Sequence, residues 1–174
     1  VVKLEVENQP TSLTIHKVAS PGGADATSLT GAEFTIVPSE SYEFADGTAE
    51  PITLKVDENG MASLVGQLKV NGQYEITETK APAGYELIGG TLVLRVGEDG
   101  SITVVDDAPD GYVVTPGETG FVSVEAIDAP VEVRLVKVSS ATGNKPLAGA
   151  TFTIEPADGS TFANGSTALV TLDA

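Results

Sequence analysis

Three ionisable residues in this sequence continue apolar stripes that should face a protein core. Side chains alternate between the two faces of a strand, so residues of one parity share a face. The stripes are Leu13, Ile15 and Lys17; Tyr74, Ile76 and Glu78; and Val122, Val124, Ala126 and Asp128. One lysine and two carboxylic acids are therefore predicted to point inward from three different strands.

These residue types can carry out one specific condensation. Burying an unpaired charge is costly, and burial shifts a lysine towards its neutral amine and a carboxyl group towards its protonated acid. A neutral amine beside a protonated Asp is the reactant pair for an amide, and a nearby Glu can carry protons as general acid and base. The sequence predicts an isopeptide bond between Lys17 and Asp128, formed with loss of one water and assisted by Glu78.

Two plainer interpretations stay open at this point. In the first, Lys17 lays its stem along the core and keeps its ammonium in water. In the second, the three groups form a buried ion-pair network. The remaining lysines of this region, Lys55, Lys69 and Lys80, alternate out of the apolar stripes or lie beside a turn, so they are expected to be solvated.

The composition argues against several classes of function. The net charge is -16, with 25 acidic and 9 basic side chains, which disfavours nucleic acid and anionic membrane surfaces as partners. The sequence has no cysteine and one histidine, His16, so we expect no disulfide, no thiolate nucleophile, no metal site and no cofactor. No segment reaches the length of a membrane span, so membrane insertion is not expected. No nucleophile motif accompanies His16, so conventional enzyme activity is not expected either.

The sequence repeats itself over a long distance. Residues 1–20 match residues 121–140 at a shift of 120 positions (121 − 1), and residues 31–38 match residues 149–156 at a shift of 118 (149 − 31). The matched pairs include Asn8 with Asp128, Pro10 with Pro130, and Lys17 with Lys137. Self-similarity of this length indicates tandem modules, and the unit is long enough for each copy to have its own core.

The repeat predicts three parts of the chain. Residues 1–10 are interpreted as the last strand of a preceding module, residues 11–130 as a complete module, and residues 131–174 as the truncated start of the next. Pro10 and Pro130 restrict the backbone of the short linkers, so neighbouring modules are expected to join semi-rigidly, as in a rod.

The complete module is predicted to be an all-β antiparallel sandwich. Its short apolar runs are separated by turn residues, with 19 Gly and 10 Pro in the whole chain, and this pattern is typical of many strands rather than helices. The predicted strands are 12–18, 32–37, 52–56, 61–65, 73–79, 91–96, 101–105 and 121–128. Residues 106–120 are predicted to be an insertion that lengthens the connection to the last strand.

The segment around Glu78 resembles a known family signature. The run YEITETKAPAGY, residues 74–85, closely resembles the E-box of collagen-adhesin B-type (Cna-B) domains, also called SpaA-type prealbumin-like domains, of Gram-positive surface proteins and pilins. Two further motifs occur at matching spacings: Leu-x-Gly-Ala-x-Phe at 29–34 and again at 147–152, and a closing Asn/Asp-x-Pro at 8–10 and 128–130. The resemblance covers nearly the whole chain.

This resemblance implies an Ig-like or prealbumin-like β-sandwich and a role for each ionisable residue. Lys17 is similar to the family's amine donor, Glu78 to its catalytic glutamate, and Asp128 to its acyl partner. Lys137 and Asn8 would belong to the incomplete sites of the neighbouring modules. Bond formation of this kind is single-turnover self-crosslinking, so no enzyme is implied.

The resemblance also implies where the protein acts. It is expected to be a structural stalk module of a cell-wall-anchored adhesin or pilus component on the surface of a Gram-positive bacterium. Its partners would be neighbouring modules of the same chain, while host extracellular matrix or glycans would be contacted by other parts of the parent protein.

Two alternatives concern residues 106–120. Asp106 and Asp107 precede Ala-Pro and imitate the closing motif, so either could replace Asp128 as the acceptor, although only Asp128 repeats the position of Asn8. The module could also be a ligand-binding one, for glycan or host matrix protein, with Tyr112 and its acidic neighbours as the first candidate surface. A surface loop packed on the adjacent module is the preferred interpretation of this segment.

Overall fold

The computed structural model describes residues 10–20 and 27–173. It divides into two compact units, with the boundary between Pro130 and Val131. Residues 1–9, which include Asn8 and most of the strand predicted for a preceding module, lie outside the described residues.

The described part of the first unit contains nine strands. They are β1 Ser12–Ala19, β2 Glu33–Pro38, β3 Ile52–Lys55, β4 Met61–Val65, β5 Gln73–Lys80, β6 Leu92–Val96, β7 Ile102–Val104, β8 Tyr112–Pro116 and β9 Phe121–Asp128. Eight of them coincide with predicted strands to within one residue at each end. Short apolar runs bounded by Gly-containing turns were sufficient to locate these eight strands.

Two sheets enclose one hydrophobic core. The first has the strand order β4-β1-β9-β8 and the second has the order β3-β2-β5-β6-β7. Among these strands, every pairing is antiparallel except that of β1 with β9, which is parallel. Ile15 and Val124 of the first sheet share the core with Phe34 and Ile76 of the second. The predicted all-β sandwich is confirmed.

Alternation along three strands carries the ionisable residues inward, as their parity predicts. The buried positions are Leu13, Ile15 and Lys17 on β1; Tyr74, Ile76 and Glu78 on β5; and Val122, Val124, Ala126 and Asp128 on β9. β1 departs from strict alternation only near its end, where Val18 is also buried. The apolar residues of each stripe therefore hold an ionisable residue against the core.

The prediction of a surface loop over residues 106–120 is wrong, because residues 112–116 form β8. β8 pairs with β9 in antiparallel register, and Tyr112 at its start is 95% buried in the core. The sequence signal for β8 is weak, because Val113 and Val114 interrupt the alternation of apolar and polar residues. Pro116 also disfavours a strand. Pro is tolerated here because β8 is an edge strand of its sheet.

The second unit is a set of short elements. It contains β10 Val138–Ser139, a 3₁₀ helix at Ser140–Thr142, β11 Lys145–Pro146, β12 Thr151–Ile154 and β13 Val170–Asp173. β10 pairs with β11, and β12 pairs with β13. Residues 131–137 belong to no strand and are exposed. In the described residues of both units, no helix is long and apolar enough to cross a membrane.

Candidate functional site

The parallel pairing of β1 with β9 brings Lys17 to Asp128. In this register Lys17 lies beside Ala126 and Ala19 lies beside Asp128. Asp128 is two positions beyond Ala126 on the same buried face, so the long lysine side chain reaches it by extending along the strand direction. Nζ of Lys17 contacts Oδ1 of Asp128 and donates a hydrogen bond of 3.2 Å to the carbonyl oxygen of Ala126.

The opposite sheet supplies Glu78. Oε1 of Glu78 lies 3.4 Å from Nζ of Lys17, and the side chains of Lys17, Glu78 and Asp128 are all fully buried. One amine and two carboxyl groups thus meet between the sheets, at the place where the three apolar stripes end. The plain interpretation in which the ammonium of Lys17 reaches water does not fit this geometry.

The backbone of β5 is irregular beside Glu78. Glu78 pairs with Phe34 of β2, and the next pair is Lys80 with Glu33, so Thr79 is an extra residue on β5. Such a bulge bends a strand and redirects the side chains near it. β6 pairs with β5 only as far as Ile76. On the side of β5 away from β2, no described strand therefore lies beside Glu78.

The Ala-Pro-Ala-Gly turn explains how this open edge is covered. The turn closes with a hydrogen bond of 3.2 Å from the Tyr85 N–H to the Pro82 carbonyl, and Gly84 takes a left-handed φ of 86°. Only glycine adopts that φ without strain. The chain then returns across the site, where the N–H of Ile88 donates a 2.8 Å hydrogen bond to Oε2 of Glu78.

The same returning segment holds the chain just beyond Asp128. Tyr85 forms an isolated antiparallel bridge with Pro130, and the N–H of Glu86 donates a 2.9 Å hydrogen bond to the carbonyl of Ala129. The E-box-like segment therefore contacts Glu78 on one side and the exit of β9 on the other. This fixes two of the three groups relative to each other.

Tyr112 is a site residue that sequence reasoning missed. The backbone N–H of Glu78 donates a hydrogen bond of 3.2 Å to the Tyr112 hydroxyl, which comes from β8 in the opposite sheet. The available signal was the run Tyr112-Val113-Val114-Thr115, which is rich in the aromatic and β-branched residues that favour strands. The interpretation of residues 106–120 as an insertion overlooks this signal.

Burial dominates the electrostatics of the site. It raises the pKa of the Glu78 carboxyl, against the hydrogen bond from Ile88 and the charge of Lys17. It also raises the pKa of Asp128, against the hydrogen bond and charge of Lys17. Oε1 of Glu78 and both carboxyl oxygens of Asp128 are buried without a hydrogen-bond donor in good geometry. Two buried carboxyl groups with one cation favour keeping a proton within the group.

The other candidate residues lie apart from this group. Asp106 and Asp107 are exposed, and Asp106 occupies a left-handed turn position with φ of 60°. Lys137 is exposed in the second unit. Lys55 and Lys80 form surface ion pairs with Glu33 at 3.6 and 3.5 Å. Lys69 forms a surface ion pair with Glu43.

Across the part of the chain that the structure describes, no group of three or more His, Cys, Asp or Glu side chains could hold a metal ion. The buried group consists of one amine and two carboxyl groups, from Lys17, Glu78 and Asp128. These groups contact each other directly.

The fold and the arrangement of this site agree with a family match. A model of the SpaA prealbumin-like fold domain matches residues 11–110. Because this is more than half of the 174 residues, the chain belongs to the SpaA family of prealbumin-like fold domains. The match includes Lys17 and Glu78 and ends before β8, β9 and Asp128. No curated protein matches the chain.

Solved structures of a pilus adhesin have a similar fold. A C-terminal fragment of the pilus adhesin SpaC from Lactobacillus rhamnosus GG superposes with a TM-score of 0.55 at 24% identity, over 73% of this chain and 47% of the fragment. The open conformation of the same adhesin gives a TM-score of 0.54 at 25% identity, over 74% of this chain and 15% of the adhesin. The chain thus corresponds to less than half the length of either structure.

Proposed function

We propose that residues 11–130 are a structural module of a pilus or adhesin protein, displayed outside the cell, that crosslinks itself between Lys17 and Asp128. The observation that carries the proposal is the fully buried contact of the Lys17 amine with the Asp128 carboxyl beside Glu78. Membership of the SpaA family and the likeness to a pilus adhesin support the setting. We further propose that residues 131–174 begin a second module of the same kind.

The condensation follows from the positions of three groups. Proton transfer within the site converts Lys17 to its amine and Asp128 to its acid, which burial favours for both. The amine nitrogen attacks the carboxyl carbon, and Glu78 takes the proton released from nitrogen. Glu78 then returns that proton to the departing hydroxyl, so one C–N bond forms, one C–O bond breaks and one water leaves.

The crosslink would suit a module that bears tension. Because β1 and β9 are parallel, the first residue of β1 and the last residue of β9 lie at opposite ends of the pair. Tension along the chain would enter at Ser12, pass to Lys17 and cross directly to Asp128. Residues 18–127 would then carry none of the load, whatever happened to their hydrogen bonds.

The ligand-binding alternative loses Tyr112 as a surface residue, while its acidic neighbours Asp106 and Asp107 remain exposed. Residues 106–120 supply an edge strand, and Tyr112 points into the core instead of towards a ligand. A stalk module remains the better-supported function.

The test is the intact mass of the denatured chain. We expect wild type to be lighter than calculated by one water, and Lys17→Ala and Glu78→Ala to have their full calculated masses. Lys137→Ala is the matched control, because it removes the repeat-equivalent lysine from an exposed position and should keep the deficit. Asp128→Asn should lose ammonia in place of water, which identifies the acceptor without peptide mapping.

A full calculated mass for folded wild type would contradict the crosslink. The three residues would then be a buried ion-pair network, and the load would pass through the hydrogen bonds of the sheets. A deficit that persists in Lys17→Ala would show that another lysine is the donor.

A further inference from the structure

The hydroxyl of Tyr112 lies beside the backbone of Glu78, and its role there rests on the crosslink proposed above. The backbone N–H of Glu78 lies at the edge of β5 that β6 has left, because the β5–β6 pairing stops at Ile76. Beyond Ile76, the described strands offer no backbone pairing on that side of β5. Tyr112 accepts the N–H of Glu78 instead, reaching across the core from the opposite sheet with a hydrogen bond of 3.2 Å.

The register places Tyr112 in one row with the proposed donor. Tyr112 pairs with Ala126 across β8 and β9, and Ala126 pairs with Lys17 across β9 and β1. The carbonyl of Ala126 accepts the hydrogen bond from Nζ of Lys17. Tyr112 and Lys17 therefore flank the same residue of β9, with Asp128 two positions further along the same face.

The Tyr112 hydroxyl is a neutral acceptor for this hydrogen bond. Its oxygen accepts from the backbone N–H of Glu78. Burial raises the pKa of Tyr112 to about 12, and the charges of Glu78 and Asp128 add to the rise. The hydroxyl therefore stays protonated and neutral at physiological pH.

We propose that Tyr112 is a positioning residue for the condensation: its hydroxyl oxygen holds the backbone of Glu78. Holding the backbone keeps the Glu78 carboxyl near Nζ of Lys17, where it can accept the proton from the attacking amine.

The test is a rate measurement on the full chain with two tyrosine variants. Cell-free synthesis would supply wild type, Tyr112→Phe and Tyr74→Phe. After translation is stopped, samples taken over time would be quenched in denaturant, and their intact masses would be measured. Tyr74→Phe is the matched control, since its hydroxyl is also a buried partner of backbone groups, those of Glu43 and Lys69. We expect Tyr112→Phe to lose water roughly 2- to 10-fold more slowly, as for loss of one hydrogen bond between neutral groups, and Tyr74→Phe to react like wild type.

The pH dependence of the rate separates positioning from simple loosening of the fold. Burial raises the pKa of Glu78, and the charge of Lys17 opposes that rise. If Glu78 is held less closely to Nζ of Lys17, its pKa rises further, so the acid limb of the rate profile should move to higher pH in Tyr112→Phe. Should that variant not fold, 3-fluorotyrosine at position 112, a weaker acceptor of nearly the same shape, should move the limb in the same direction by a smaller amount. An unchanged limb would overturn the proposal.

The outcomes distinguish the two proposals. If wild type loses water and Tyr112→Phe does so at the same rate, Tyr112 has no positioning role and the crosslink stands. Equal slowing in Tyr112→Phe and Tyr74→Phe would assign both effects to stability alone. If wild type never loses water, the proposed function itself fails.

Discussion

Lys17 and Lys137 occupy the same place in a repeated sequence, yet one is fully buried and the other is exposed. The difference lies in their neighbours. β1 is held between β4 and β9, whereas residues 131–137 belong to no strand. A stripe of apolar residues thus becomes a buried strand only when distant strands pair with it.

The hairpins of the two units show the opposite behaviour. Phe34 pairs with Leu54 in β2 and β3, and Phe152 pairs with Leu172 in β12 and β13, so the register is the same at a shift of 118. A hairpin depends on residues close in sequence. The repeated sequence therefore reproduces its local structure in both units, while the site of the first unit also depends on β9, which is distant in sequence from β1.

The largest expected effect separates the two lysines. Lys17→Met removes the proposed crosslink and leaves two buried carboxyl groups without their cation. We expect the free energy of unfolding of the first unit to fall by about 5 kcal/mol or more, because a closed loop of 111 residues (128 − 17) is worth about 4.7 kcal/mol by chain entropy. Lys137→Met should change it by less than about 0.5 kcal/mol. Hydrogen exchange in β9, measured at increasing urea concentrations, would give the free energy of unfolding of the first unit in both variants. Equal losses in the two variants would contradict the difference expected between the two lysines.

A second pair of variants compares the phenylalanines of the two hairpins. Phe34 is fully buried against the opposite sheet, and Phe152 is only partly buried. Phe34→Ala should cost about 3–5 kcal/mol, whereas Phe152→Ala should cost about 1 kcal/mol. Residue-resolved hydrogen exchange in β2 and β12 reports on each unit separately. A similar cost at both positions would mean that the second unit has a core of comparable density.

The third prediction uses the raised pKa values of Glu78 and Asp128. An acid whose pKa is higher in the folded state than in the unfolded state stabilises the fold below its unfolded pKa, and that stability is lost as pH rises through the folded pKa. In Lys17→Met both carboxyls remain buried, so its melting temperature should rise when pH is lowered from about 7 to about 5. Crosslinked wild type, with the Asp128 carboxyl consumed, should respond less. A variant that is destabilised over that range would contradict the burial of both acids.

The smallest effect is expected at the alternative acceptors. Asp106 and Asp107 are exposed and away from Lys17, so Asp106→Asn and Asp107→Asn should keep the mass deficit of one water. Their stabilities should stay within about 0.5 kcal/mol of wild type. If either variant lost ammonia or kept its full mass, the acceptor would have to be reassigned.

The sequence predicted the parts of this site that alternation determines. Strand parity placed Lys17, Glu78 and Asp128 on inward faces, and the repeat favoured Asp128 over Asp106. What alternation could not provide was the order of the strands. Neither the parallel pairing of β1 with β9 nor the crossing of Tyr112 from β8 to Glu78 leaves a local pattern, since both depend on which strands become neighbours.

The parallel pairing also determines when the site can exist. Each residue of β1 pairs with a residue 109 positions later (121 − 12, and equally 128 − 19). Contacts between such distant residues form slowly, because the loop between them must close first. Lys17 is made early and must wait for the final strand of its module before it meets Asp128. A crosslinked molecule would therefore be a permanent record that this module, from first strand to last, had folded to completion at least once.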